Sequence, residues 1–218
     1  MSDYQNQKEL ILKYYSELDV AVGPEHSQVI HKYVDEDYLW RGFHPFHEMH
    51  SGDEVIHNFW IPFKQAITRS QRRMDIFMAG ENSLETGGVW VVSMGHIMGL
   101  FDNHWLGIPP TGKMVFLRYC EFNRVENNKI TETANYVDIL NLADQTGRLP
   151  ISCTTGLSVL TPGPRHHDGL KYQASSELES LATLKLISTM VKDLRRAEIA
   201  SPEQHMENFW NSYMTWFG

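Results

Sequence analysis

Four runs decide the fold: RRMDIFMAGEN at residues 72–82, VWVVSMGHIMGLF at 89–101, MVFLRYCEFNRV at 114–125 and KITETANYVDIL at 129–140. All four read as strands, the last three rich in β-branched and aromatic residues, the side chains that fit a pleated surface. Clusters of Gly, Asn and Pro separate them: Gly87-Gly88, Gly107 to Gly112 and Asn127-Asn128. Such clusters break strands and build turns. Glu126-Asn127-Asn128-Lys129 is a tight turn, so the last two runs form a hairpin.

Upstream the period changes from two to 3.6. Leu10, Ile11, Tyr14, Leu18 and Ala21 mark one face of a helix over residues 5–20. Gly23-Pro24 ends it and starts a second helix, which carries Val29, Ile30, Tyr33 and Val34 inward. That helix runs into a short aromatic strand at residues 37–43. Ser51 is an N-cap for a third helix with Asp53 and Glu54 in its first turn, holding Val55, Ile56, Phe59 and Trp60. Helices first and a meander of strands afterwards predict an α+β fold, with about three N-terminal helices packed on a curved antiparallel sheet.

After Pro150 the periodicity stops. Residues 151–174 read as a linker, with Pro162-Gly163-Pro164 and His166-His167-Asp168-Gly169. A helix over 178–194 follows, with Leu181, Leu184, Ile187, Ser188 and Val191 on one stripe, and Ser201-Pro202-Glu203 starts another. This pair parallels the first two helices: Pro24-Glu25, Tyr33 and Trp40-Arg41-Gly42 lie against Pro202-Glu203, Phe209 and Trp216-Phe217-Gly218. Two unrelated helix pairs with common cap chemistry would look the same. The expected division is a domain over 1–150, a linker over 151–174, and the helical start of a second, incomplete copy over 175–218.

Composition narrows the function. The chain has 218 residues, with 19 Lys and Arg against 27 Asp and Glu, a formal net charge of −8. It has no basic run, so it is a poor partner for a phosphate backbone and no nucleic acid is expected. No stretch approaches a membrane span, and the N-terminus lacks an apolar core for export. The two cysteines, Cys120 and Cys153, cannot make a disulfide scaffold. A soluble, cytoplasmic protein acting on a small molecule or on another protein is expected.

The stretch Trp105-Leu106-Gly107-Ile108-Pro109-Pro110-Thr111-Gly112-Lys113 resembles a loop of the SnoaL-like polyketide cyclases, within the nuclear transport factor 2-like superfamily. The resemblance continues through Phe122-Asn123-Arg124-Val125, Asn128-Lys129-Ile130-Thr131-Glu132, Asp138, and Leu142-Ala143-Asp144-Gln145-Thr146-Gly147. Gly95-His96 and Trp40 to Phe46 look like members built from tandem copies. The resemblance covers about residues 8–150. It implies a cone-shaped fold with a pocket inside the cone. It also implies an aldol ring closure without metal or cofactor, in which one Asp removes a proton and a neighbouring His assists. Homodimers, or intrachain pairing of copies through the sheet, belong to the same expectation.

Aldol closure needs a base beside an acidic carbon and a donor for the enolate oxygen. Alternation puts Val115, Leu117, Tyr119, Glu121 and Asn123 on one strand face, with Cys120 on the other. By the resemblance, Glu121 stands where the cyclases place their assisting His, and Asn135 where they place the catalytic Asp. An amide is no base near neutral pH, so either Glu121 has taken that role or the chemistry is lost. Glu121 also reads as a structural carboxylate paired with Arg118, Arg124 or a Tyr. Asn135 reads as a hydrogen-bond donor to substrate or as a satisfied sheet amide, and Asp138 as a helix N-cap.

His44 follows the aromatic strand and is expected at the pocket mouth. His96 lies in an apolar strand, as a core residue or a proton shuttle. His44, His47 and His50 have no ligand pattern beside them, so no metal is expected. Trp40, Phe43, Trp60, Trp105 and Tyr119 are the expected pocket lining, suited to a flat apolar ligand. Two functions fit: a cofactor-independent acid–base enzyme on a polyketide-like or other carbonyl or ester substrate, and a binding protein that keeps the pocket without turnover.

Overall fold

The structure is a computed structural model that describes residues 4–82, 88–149, 162–196 and 209. Helix α1 spans Gln5–Val20 and α2 spans Glu25–Tyr33. Strand β1, Val34–Gly42, begins directly from α2 and turns back into a short β2, Glu48–Met49. Helix α3, Gly52–Val55, is capped by Ser51 Oγ, which accepts from the Glu54 backbone N–H. The chain continues through one π-turn, Ile56–Trp60, into α4, Ile61–Ala66. Pro62 cannot donate to the helix ladder, and the wider turn before it absorbs that loss. Strands β3 (Ile67–Glu81), β4 (Val89–Phe101), β5 (Met114–Glu126) and β6 (Lys129–Val137) follow. Helix α5, Ile139–Gln145, is capped by Asp138, whose Oδ1 accepts from the Asn141 N–H.

The six strands form one sheet in the order β2-β1-β6-β5-β4-β3. Every pair is antiparallel except β1 with β6. The wholly antiparallel expectation is corrected there: the β5–β6 hairpin returns β6 alongside β1 in the same direction. The fold is otherwise the α+β arrangement expected, with α1, α2 and the α3–α4 segment against one sheet face.

The register aligns one row across that face: Gly42 opposite Asn135, Asn135 opposite Glu121, Glu121 opposite Ser93, and Ser93 opposite Phe77. A second row holds Trp40, Thr133, Asn123 and Val91. Helices supply Ile11, Tyr14, Tyr15, Leu18, Ile30 and Phe59 against these rows, all buried.

The segment after residue 162 straps the free edge of β3. The Phe77 N–H donates to the Gly169 carbonyl, and the Lys171 N–H donates to the Phe77 carbonyl. Tyr172 packs on the Phe77 ring, and Lys8 of α1 donates to the Lys171 and Gln173 carbonyls. Helix α6, Glu177–Arg196, leaves Leu181, Leu184, Ile187 and Val191 exposed, so its apolar stripe joins no core among the described residues. The expected helix from Ser201, the residues paired with it for the second copy and Cys153 lie outside the described residues, Phe209 apart.

Candidate active site

Glu121 points into the face covered by the helices and is 2% exposed. Its Oε1 accepts from Asn123 Nδ2 at 3.0 Å, and its Oε2 from Asn135 Nδ2 at 3.2 Å. The Tyr15 hydroxyl accepts from Asn123 Nδ2 at 3.0 Å and is also hydrogen-bonded to Glu121. Asn123 Oδ1 accepts from Thr133 Oγ1 at 2.7 Å, and Ser93 Oγ shares a hydrogen bond of 2.7 Å with the Tyr119 hydroxyl. A carboxylate is therefore buried among amides and phenols, with no ion pair of its own among the described residues.

Two of the expected structural partners are elsewhere. Arg118 pairs with Asp138, and Arg124 with Glu126, both on the alternate face of β5. Arg72 is a cation beside the cluster: its guanidinium lies 4.0 Å from the Tyr15 ring centroid and 4.9 Å from that of Tyr119. Arg72 is itself held by Asp19, Nε to Oδ2 at 3.2 Å.

Burial sets the electrostatics of the phenols. It pushes Tyr15 well above the usual tyrosine range, and the negative charge of Glu121 adds to the shift. Burial likewise raises Tyr38 and Tyr119. All three stay protonated near neutral pH; Tyr15 is the one bonded to the carboxylate, while Tyr38 is bonded to Thr133 and Tyr119 to Ser93. One polar atom in the cluster lacks a partner: Asn135 Oδ1, beside the Nδ2 that bonds Glu121.

The remaining predicted residues divide. Asn135 and Tyr119 join the Glu121 cluster. His96 does not: in the register it faces Arg73 and Arg118, on the outer face of the sheet. There its Nδ1 is 3.5 Å from Asp75, so the sheet itself separates it from Glu121. Period-two alternation dictates this, since Gly95 and Ile97 are the inward neighbours. His44 also stands apart. It is exposed in the β1–β2 loop, with its ring against His47.

Trp40, Phe43, Trp60 and Trp105 build a packed aromatic cluster around Phe59 instead of lining an open pocket. Tyr14, Tyr15, Tyr38 and Trp40 fill the space over β5, where Val115, Leu117, Tyr119, Glu121, Asn123 and Val125 are all buried. Two cavities, of about 350 and 520 Å³, lie away from Glu121. The larger is on the outer sheet face at Met78, Trp90, Phe122 and Tyr136. Among the described residues the side chains around Glu121 are buried, and neither of these cavities reaches it.

Tyr15, Arg72 and Ser93 were not singled out from sequence. The β4–β5 register that brings in Ser93 needs the loop length between the strands, and Arg72 enters across an irregular stretch of β3.

A family profile for SnoaL-like polyketide cyclases matches residues 24–146, more than half of the chain. The chain belongs to the SnoaL-like polyketide cyclase family. Solved structures agree on the fold. AclR from Streptomyces galilaeus, a proposed hydroxylase, is 16% identical, covers 88% of this chain and 98% of its own, and gives a TM-score of 0.55. A proposed polyketide cyclase from Xanthomonas campestris pv. campestris is 16% identical over 66% of this chain and 99% of its own, with a TM-score of 0.51. No functionally curated protein matches the sequence. Glu121 and Asn135 both lie on the inner face of the sheet. No helix among the described residues is long and apolar enough to cross a membrane.

Proposed function

We propose that this SnoaL-like protein is a cofactor-independent acid–base enzyme acting on a small carbonyl or ester substrate of the polyketide type. Glu121 is the proton acceptor. Its carboxylate takes the proton from a carbon flanked by carbonyls, and the C–H electron pair passes into an enolate. The enolate carbon attacks a second carbonyl of the same molecule, and the proton returns to the new alkoxide. Tyr15 and Asn135 hold the carboxylate, and the protonated phenols of Tyr38 and Tyr119 are donors for the developing oxyanion. The single observation that carries this reading is the buried carboxylate bonded only to neutral side chains. Burying such a group costs several kcal/mol, and sites that use proton transfer are where that cost recurs. This reading requires the tyrosines over Glu121 to part and admit substrate.

A second reading, binding without turnover, draws on Asn135 standing where the family's Asp is expected. One experiment separates the two. The protein is incubated with a panel of aromatic β-keto methyl esters, and binding and cyclised product are followed by mass spectrometry. Under the enzyme reading, wild type forms product, and Glu121→Gln binds as well while losing turnover by roughly 100-fold or more. Binding without product in wild type supports the second reading. Neither binding nor product overturns both.

The exposed stripe of α6 supports reading residues 175–218 as the start of a second copy, since the matching stripe of α1 is buried in the first.

A further inference from the structure

The cavity of about 350 Å³ lies outside the Glu121 cluster, between the turn that ends α1, the end of α4 and the start of β3. One wall is apolar, with Ala21, Ile61 and Ile67. The other carries charge. Lys64 Nζ donates to the Asp19 carbonyl at 3.0 Å and to Ser70 Oγ at 3.1 Å, and lies 3.8 Å from Asp19 Oδ1. The same carboxylate already holds Arg72. One anion thus serves two largely buried cations. Arg69 adds a third positive group on the cavity wall and makes no ion pair among the described residues. Two further carboxylates lie beside this wall: Asp102 accepts from Thr68 Oγ1, and Glu25 accepts from the Val22 backbone N–H.

Two further features mark the same place. Arg69 has φ of 51°, the left-handed region that a long side chain occupies at a cost, within the irregular stretch of β3. His26 is buried on the cavity wall. Its Nδ1 bonds the Gly23 carbonyl at 2.9 Å, and its Nε2 has no partner. A carbonyl can only accept, so Nδ1 carries the proton and Nε2 is an unused hydrogen-bonding position. Burial holds the Lys64 ammonium below the usual lysine range, the nearby Asp19 charge opposes that shift, and Arg72 reinforces it. An incoming negative charge would relieve that deficit.

We infer that this cleft is a second binding site, for a small carboxylate with an apolar body: the carboxylate on Arg69 and Lys64, and the body against Ala21, Ile61 and Ile67, beside the His26 ring. The inference does not depend on proton transfer by Glu121.

Benzoate, with benzamide as its neutral isostere, is titrated into the full chain while the ring signals of His26 and the methyl signal of Ala21 are followed by NMR. Benzoate binds at least about tenfold more tightly than benzamide and shifts both sets of signals. Arg69→Gln weakens benzoate by about fivefold or more, Arg69→Lys restores most of the loss, and Glu121→Gln leaves it unchanged. Arg69 is exposed, so neither replacement disturbs the core. Equal affinity for benzoate and benzamide, full binding by Arg69→Gln, or shifts confined to other parts of the molecule overturns the inference.

Discussion

Replacing Glu121 by Gln is expected to make the protein more stable while removing its proton acceptor. The carboxylate is 2% exposed, and its oxygens are met by Asn123 Nδ2, Asn135 Nδ2 and the Tyr15 hydroxyl. Hydrogen bonds to a charged group contribute about 1.5–3 kcal/mol each, set against a desolvation cost of several kcal/mol for the ion. Glutamine has the same shape. Its carbonyl keeps the Asn123 bond. Its amide would oppose the Asn135 amide, but Asn135 carries an Oδ1 with no partner, and turning that amide over makes Oδ1 the acceptor. The bonds become neutral ones of about 1 kcal/mol each, and most of the desolvation cost disappears. The balance favours Gln by about 1–2 kcal/mol, a rise in Tm of roughly 2–8 °C for a domain of this size. Thermal unfolding by circular dichroism at pH 7.5 measures it. Glu121→Ala is the control: it strands the Asn123 and Asn135 donors and opens a cavity, and its Tm falls. A Tm for Glu121→Gln more than about 3 °C below wild type would refute the reasoning. It would show that the charge holds the fold together through Arg72.

Other perturbations test the surroundings of the site. Burial, with the Glu121 charge adding to it, pushes the Cys120 thiol up to about 11. At pH 8 its thiolate population is roughly 100-fold below that of an ordinary thiol, so in a Cys153→Ser background iodoacetamide labels the native protein far more slowly than glutathione; equal rates would contradict this placement. His96 is pushed below the usual imidazole range by burial, against the pull of Asp75 and with a smaller push from Arg118. The unfolded chain then binds the proton first, so stability falls as pH drops from about 6.5 toward the lower native value, and it is retained above that window. In His96→Asn the Tm difference between pH 5 and pH 7.5 should shrink, and an unchanged difference would remove His96 as its source. A Cβ on Gly95 would collide with the backbone carbonyl of Arg73. Gly95→Ala should therefore lose about 3 kcal/mol or more in a denaturant titration, and a loss under about 1 kcal/mol would show that β3 yields there.

Much of this architecture is readable in the chain because the patterns are local. The helix stripe Leu10, Ile11, Tyr14 and Leu18 is buried as its spacing requires, and Ser51 and Asp138 cap the helices they precede. Alternation along β5 puts Glu121 inside and Cys120 on the other face. What stayed out of reach depends on partners distant in sequence. The parallel pairing of β1 with β6 follows from closure of the sheet, not from either strand. The filling of the interior depends on how far Tyr15, Tyr38 and Trp40 reach, and side-chain volume across elements leaves no periodic mark. His96 was readable and still misleading. An isolated histidine in an apolar strand draws attention, yet its alternation with Gly95 and Ile97 already places it outside.

The role of Glu121 is tested most directly by following exchange of the acidic α-proton of an aromatic β-keto ester for deuterium by NMR, in heavy water, with wild type and Glu121→Gln at equal concentration. Wild type should accelerate exchange above buffer, and the variant should fall to the buffer rate while melting at the same temperature or higher. Exchange by the variant at the wild-type rate, or none by a wild type that binds the ester, would remove Glu121 from the chemistry.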